Sequence, residues 1–437
     1  MTLNSTQDVP NLKNNKDLGT LNVLSLFSGC GGMDLGFEGD FPVLTESLNP
    51  LVNPHWNTKS LGDYWSRLPK TAFSTVFAND IRPDAQRAWT NYFAKKNISK
   101  ETYHLESIVD LVKKFKNDGI NPFPNNIDVV TGGFPCQDFS VAGKRQGFES
   151  KKSHTGKLAE DNQPSIESRG QLYMWMRDVV SITQPKVFIA ENVKGLVNLG
   201  DVKEIIENDF RNIGNNGYIV VPAQVLHSAE FGVPQSRERV IFYGFKRESL
   251  TDEAIEALTS ETIPADYNPY PPKTHYLPND SSPAANLKKF VSVKSAFVGL
   301  EEPEQSTDMS QQKYSKAKYM GAHCQGQNEV NLDGIAPTIR SEHHGNIEYR
   351  RLSLENGGTY IHELESGLAP RRLTVRECAR IQTFPDDYKF VWSASKKDNI
   401  EGLSASSAYK IIGNAVPPLL GFNIAKRLED NWTLYFK

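Results

Sequence analysis

Leu24-Ser25-Leu26-Phe27-Ser28-Gly29-Cys30-Gly31-Gly32 is the stretch from which the fold can be read. Its first residues, within an apolar run at 22–27, have strand character, and the glycines that follow mark a tight turn opening into a helix. Such a strand-turn-helix lets a ligand approach the backbone closely, although a turn with no ligand would look the same. Working outward, further apolar runs at 74–80, 127–131, 186–193, 219–226 and 239–245 alternate with amphipathic stretches. That alternation predicts parallel strands connected by helices, an α/β sheet. Leu172, Trp175, Met176 and Val179 recur at helical spacing, as do Val202, Ile205, Ile206, Phe210 and Ile213, and core packing accounts for both sets.

At 437 residues the chain exceeds a typical single core, so two lobes or one domain with a long insertion are expected. A formal net charge of -3 excludes a histone-like binder, and any contact with nucleic acid must be a local basic patch. Cys30, Cys136, Cys324 and Cys378 have neither close pairing nor metal-ligand spacing, which predicts reduced thiols, a cytoplasmic setting and no metal. Residues 1–20 are polar and carry no continuous apolar run, so they are expected to form a flexible tail and not a membrane anchor. The polar stretch 151–168 interrupts the alternation and is expected to be an inserted loop. After residue 245 the rhythm fails. Six prolines within 262–286 predict a linker between lobes, followed by a less regular second lobe with helix signals at 373–382 and 418–428.

Four constellations carry chemistry. The glycine turn is joined by Asn79-Asp80 at the end of the second strand, where a doubly wound fold holds ribose hydroxyls. The turn lacks the spaced glycines of pyrophosphate binders, which favours a nucleoside cofactor without a diphosphate, such as S-adenosylmethionine. The second is Thr131-Gly132-Gly133-Phe134-Pro135-Cys136-Gln137-Asp138-Phe139-Ser140, which puts a thiol just beyond a strand's carboxyl end. A lone cysteine is more often a small core residue, but these neighbours do not suit a core. The third is the strand Lys186-Val187-Phe188-Ile189-Ala190-Glu191-Asn192-Val193, whose terminal carboxylate could be solvated, could cap a turn, or could hold a proton for donation. The fourth is Gln235-Ser236-Arg237-Glu238-Arg239, whose two arginines at i and i+2 are expected to share one face.

In this order and on these elements, the four constellations resemble the DNA cytosine-5 methyltransferase family. The resemblance spans 22–245 and 371–421, with agreement also at Arg371 to Pro385 and in Gly413-Asn414-Ala415-Val416-Pro417-Pro418. It implies a Rossmann-like, S-adenosylmethionine-dependent methyltransferase sheet with a smaller, irregular target-recognition domain. The implied division is 21–250 plus 405–437 for a discontinuous catalytic domain and 251–404 for target recognition and hinge. Cys136 would attack carbon 6 of cytosine, Glu191 would contact ring N3 and the exocyclic amine, and Arg239, with Arg237 nearby, would meet the O2 carbonyl. Proton loss from carbon 5 would fall to a water species. Around the cofactor the resemblance places Phe27, Ser28, Gly29, Gly31, Gly32, Asp80, Ile81, Glu106, Leu172 and Asn414. Two departures concern adenine: family members often carry an aromatic residue in place of Ile81, and Gly-Asp-Ile where this chain has Leu105-Glu106-Ser107-Ile108.

Duplex DNA is the implied partner, with the target base flipped out beneath a mobile loop at 140–148 that carries Ser140, Lys144 and Arg145. Gln137 is expected to contact DNA as well. Pro337-Thr338-Ile339 resembles the recurrent short motif of the recognition lobe, so Thr338 and Arg340 join the DNA-contacting set, with His343, His344, Arg350 and Arg351 as further candidates. A bacterial modification role is implied, carried by a monomer with a restriction endonuclease acting separately on the same site. The competing expectations are a tRNA cytosine-5 methyltransferase, a DNA-binding protein without chemistry, a cysteine hydrolase and a nicotinamide dehydrogenase. The long second lobe and Gln137 favour DNA over tRNA, Cys136 and Glu191 weigh against a binder without chemistry, a hydrolase would need a partnered histidine at a matching strand end, and a dehydrogenase would explain only the first glycine turn.

Overall fold

Strands buried on both faces must be apolar at consecutive positions, and those of this chain are. The computed structural model describes residues 18–135, 172–198, 201–214, 216–341, 347–395 and 401–437. In β1 (Leu21–Leu26), Leu21 and Val23 turn to one hydrophobic core while Leu24 and Leu26 turn to another. The same alternation runs through β2 (Phe73–Asp80), β4 (Val129–Gly132), β5 (Val187–Val193) and β7 (Glu238–Lys246). With β3 (Tyr103–Leu105) and β6 (Tyr218–His227) they form a seven-stranded sheet in the order β3-β2-β1-β4-β5-β7-β6. Pairing is parallel from β3 through β5, and β7 is antiparallel to both its neighbours. Strand order reverses between β1 and β4, which opens a crevice above their carboxyl ends.

One core is covered by α1 (Gly32–Glu38) and α2 (Pro83–Phe93), the other by α3 (Ile108–Asp118), α4 (Leu172–Thr183) and α5 (Val202–Arg211). All six expected strands are present. The edge strand β3 was not read from the sequence, because it is three residues long and ends on Leu105, which is 41% exposed. Also unread was a small antiparallel sheet between α1 and β2, built from Pro42–Leu44, Trp65–Arg67 and Lys59–Ser60.

Regular structure does not stop at residue 245. α6 (Asp252–Thr259) follows, its N-terminus capped by the Thr251 side chain, which accepts from the amide of Ala254. The proline-rich 262–286 is no free-standing linker. It lies against the sheet, with the buried Tyr270 hydroxyl donating to the carbonyls of Pro222 (3.0 Å) and Ile241 (2.9 Å). Prolines remove backbone donors there, and side chains of the C-terminal region meet the carbonyls left over: Arg427 donates to Asn268 O at 2.9 Å and Asn431 to Asp266 O at 2.6 Å. Of the expected late helices, one is α7 (Val375–Ile381) and the other is α9 (Pro418–Asp430), with α8 (Ala405–Asn414) between them. α9 crosses α1 so closely that a Cβ on Gly36 would fall 2.5 Å from the Gly421 backbone.

Candidate active site

The glycine turn is held from three sides. Ser28 N donates to Asn79 O (2.8 Å), Gly29 N donates to Asp80 Oδ2 (3.0 Å), and the Tyr103 hydroxyl donates to Gly29 O (2.9 Å). Below it, Asp34 accepts from Ser25 Oγ (2.6 Å) and Trp89 Nε1 (2.7 Å), and burial pushes its carboxyl up to about 6. Phe27 (φ 53°) and Gly29 (φ 54°) take the left-handed backbone that the sharp strand exit requires. The glycines then divide. A Cβ on Gly29 would meet nothing within 4 Å, so its backbone is open to a ligand. On Gly31 a Cβ would sit 2.6 Å from Trp89, and on Gly32 2.1 Å from Val416 O. At these two positions the protein itself packs where a side chain would stand.

Asp80 uses its other oxygen to accept from Arg82 N at 3.0 Å, and burial raises its pKa against these hydrogen bonds. Beside it Ile81 is 44% exposed, an apolar side chain at the tip of β2 next to the exposed Leu105 that pairs with Asp80. Asn414 is exposed at the end of α8, two residues from the Val416 carbonyl that touches Gly32. Glu106 is tied up: its carboxylate ion-pairs with Lys114 and its carbonyl accepts from Asn79 Nδ2 at 2.7 Å. The Leu172 side chain is 3% exposed and packs in the core under the sheet with Trp175, Met176 and Val179.

The second cluster lies at the ends of β4, β5 and β7. Arg239 Nε stands 2.8 Å from Glu191 Oε1, and both side chains are nearly buried, at 13% and 10% exposure. The contact is ionic without hydrogen-bond alignment: Glu191 Oε1 is buried and has no hydrogen-bond partner among the described residues. A Cβ on Gly133 would lie 3.0 Å from Glu191 Oε2, and Asn192 Nδ2 donates to Phe134 O at 3.2 Å. The loop that leads through Pro135 into Cys136 is thus laid directly on Glu191 and Asn192. Cys136, Gln137, Ser140, Lys144, Arg145, His343, His344 and the 151–168 stretch lie outside the described residues.

Arg237 does not share the task of Arg239. It is 1% exposed and donates to Ile339 O (3.2 Å) and Gly413 O (3.1 Å), which makes it a buried clamp. Thr338 Oγ1 donates to Ser236 O at 2.5 Å, and Arg340 pairs with Glu348 at 3.0 Å. Arg350 and Arg351 are held by acids: Arg350 by Glu363 (2.7 Å), Arg351 by Glu302 and Glu363 (2.7 Å each). Sequence reasoning missed Tyr103 and Trp89, which support the turn from distant segments with no local motif to mark them.

An open backbone turn at a switch point, a strand-tip acid with an apolar neighbour, and a buried carboxylate–arginine pair beside a strand-end loop define a methyltransferase of the S-adenosylmethionine-dependent fold. The family described as "C-5 cytosine-specific DNA methylase" matches residues 21–430, and this chain belongs to it; the protein is a DNA cytosine-5 methyltransferase. It is 30% identical over 423 residues to the Type II methyltransferase M.NgoFVII of Neisseria gonorrhoeae, covering 94% of this chain and 88% of the relative. To the Type II methyltransferase M.BsuRI of Bacillus subtilis it is 28% identical, covering 95% and 80%. Among solved structures, the Entamoeba histolytica methyltransferase EhMeth shares the fold at a TM-score of 0.51 and 15% identity, covering 94% of this chain and 99% of that one.

Proposed function

We propose that this enzyme methylates a cytosine flipped out of a specific duplex sequence, through a covalent bond between Cys136 and carbon 6 of the base. The observation that carries the proposal is the buried Glu191 Oε1 without a hydrogen-bond partner, next to Arg239 and under the loop that leads into Cys136. The ion pair with Arg239 leaves Oε1 without an aligned hydrogen bond, and the exocyclic amine of cytosine is a donor that can supply one. Thiolate attack on carbon 6 makes carbon 5 nucleophilic toward the methyl group that bound S-adenosylmethionine would supply, a proton or hydrogen bond from Glu191 offsets negative charge building up at N3, and Arg239 meets the developing negative charge at O2. Water then takes the carbon 5 proton as the thiolate leaves.

S-Adenosylmethionine fits the first cluster. The open Gly29 backbone admits the methionine portion, Asp80 keeps acceptor capacity for ribose hydroxyls, and the exposed Ile81 offers an apolar surface to adenine, with Asn414 at the rim. When bound, the cofactor supplies a methyl group activated by a sulfonium. We assign 21–250 plus 405–437 to catalysis and 251–404 to target recognition. The Type II relatives support a modification role beside a separate endonuclease, and the free thiols Cys30, Cys324 and Cys378 suit a cytoplasmic monomer.

The test has two stages. Bisulfite sequencing of DNA from expressing cells locates the methylated site. A duplex with 5-fluorocytosine at that position is then incubated with enzyme and S-adenosylmethionine. Fluorine cannot leave as a cation, so protein and DNA should remain joined in a denaturant-stable complex that maps to the peptide containing Phe134-Pro135-Cys136. An adduct forming on tRNA and not on duplex DNA would transfer the activity to RNA. No adduct with active enzyme would overturn the covalent mechanism.

A further inference from the structure

The segment Gln235-Ser236-Arg237 is buried where three distant parts of the chain meet. Gln235 and Ser236 pair in parallel with Ala336 and Pro337. Gln235 Oε1 accepts from Ile339 N at 2.9 Å, and its Nε2 donates to Gln382 Oε1 at 2.9 Å. Gln382 Nε2 in turn donates to Ile412 O at 2.7 Å and Ala415 O at 3.3 Å. Arg237 joins Ile339 O to Gly413 O with two nitrogens of one planar guanidinium. Gln235 and Gln382 are 0% exposed and Arg237 1%, so water does not substitute for any of these bonds.

The hub sits between two functional surfaces. On one side, Thr338 and Arg340 lead into the segment assigned to DNA; a Cβ on Gly413 would fall 2.2 Å from the Arg340 carbonyl, so the two backbones are in direct contact. On the other side, the chain from Gly413 reaches Val416 O, which closes on Gly32 at the base of the cofactor turn. A displacement at Arg340 meets Gly413 without any compliant side chain in between.

We infer that Arg237, with Gln235 and Gln382, is a positioning device that couples DNA engagement at 338–340 to the grip on the cofactor at 413–416. The inference rests on the assignments made above for those two segments. Binding linkage is reciprocal, so cofactor must tighten DNA by the same factor by which DNA tightens cofactor. Lysine cannot replace the arginine, because an ammonium is a point donor and cannot span two carbonyls in a fixed plane.

The experiment measures the dissociation constant of S-adenosylhomocysteine by calorimetry, with and without the duplex located by bisulfite sequencing. In the wild-type protein the duplex should tighten binding by a factor between about 5 and 150, the usual range of coupling between sites. In Arg237→Lys that factor should fall to about 1, while the affinity without DNA changes much less. Gln382→Met, which cuts the link from Gln235 to the carbonyls of Ile412 and Ala415, should remove the coupling by a different route and serves if Arg237→Lys does not fold. Coupling retained in either folded variant, or loss of cofactor affinity by the same factor without DNA, would overturn the inference. Absence of coupling in wild-type enzyme that still methylates DNA would do so too, and would leave the proposed function standing.

Discussion

The sheet and the region from 286 to 395 solve the same problem in opposite ways. In β5 and β7, Phe188, Ile189, Val240, Ile241, Phe242 and Tyr243 are all 0% exposed, because the ladder satisfies the backbone and leaves the side chains free to be apolar. The later region has few ladders, and its carbonyls need donors from side chains. Arginine, with five N–H groups in one plane, is the densest such donor, and here it is buried repeatedly. Arg372 donates to Ala317 O (3.1 Å), Gly326 O (2.6 Å) and Lys318 O (3.2 Å); Arg376 reaches Pro385 O (3.3 Å) and Tyr388 O (3.1 Å) and pairs with Asp308 (2.6 Å). Arg380 pairs with Asp386 and donates to Val298 O at 2.6 Å. Both regions bury apolar side chains, but the later one adds buried cations that hold its loops in place. Loops so held can change in sequence without loss of the sheet that carries the chemistry.

The largest expected effects separate the chemistry of the first region from the recognition of the second. Cys136→Ser should abolish methylation in a tritium-transfer assay while gel-shift binding to the target duplex persists, since neither the sheet nor the arginine-tied loops depend on that sulfur. Turnover by the serine variant at the wild-type rate would refute the nucleophile. Glu191→Gln should slow the chemical step by about 10² to 10⁴, as loss of a positioned acid–base group does, with little change in cofactor affinity. If single-turnover kinetics and calorimetry showed equal damage to both, Glu191 would belong with the cofactor.

The same contrast explains what could be read from sequence. Period-two and period-3.6 patterns report burial, so six of the seven sheet strands and the α4 and α5 stripes were legible from 22 to 245. The glycine turn, Asp80, Glu191 and Arg239 were legible because a motif sits on each. The arginine ties were not, since Arg350 and Arg351 look like a basic DNA-contacting surface when nothing shows the acids they meet. Partners such as Glu302 with Arg351 and Arg371 are far apart in the chain, and no local spacing encodes them. Arg237 was misread for a related reason: position i+2 on a strand predicts a shared face, but residue 237 precedes β7 and turns to Ile339 and Gly413.

Stability measurements test the contrast itself. Arg371 is bidentate to Glu377 at 2.8 Å, with side chains 4% and 3% exposed. Arg371→Met would leave that carboxylate buried and unpaired, at a cost of about 3–5 kcal/mol. Ile241→Val in the sheet should cost about 0.5–1.5 kcal/mol. Denaturant titration of the two variants would show whether one buried arginine outweighs a trimmed core side chain. The reverse order would mean that these ion pairs are incidental to folding.

The smallest effect is also the most specific, because it has a sign that depends on pH. Burial pushes the Glu302 carboxyl up, but hydrogen bonds from Arg351 and Arg371 outweigh this and hold it down at about 2, against an ordinary value of 4.5. A carboxyl depressed in the folded state contributes stability that is fully present above about pH 4.5 and is lost as pH falls from there towards about 2. The Glu302 side chain is 23% exposed, so solvent screens part of the interaction and the contribution is smaller than that of the Arg371–Glu377 pair. Glu302→Gln keeps the shape but does not titrate. Its melting temperature at pH 7 should lie below that of the wild type, the gap should narrow as pH falls from about 4.5 towards about 2, and the two curves should meet near the lower limit. Two curves that stay parallel across that interval would show that Glu302 gains nothing from its arginines, and would leave Arg351 and Arg371 to be held by Glu363 and Glu377.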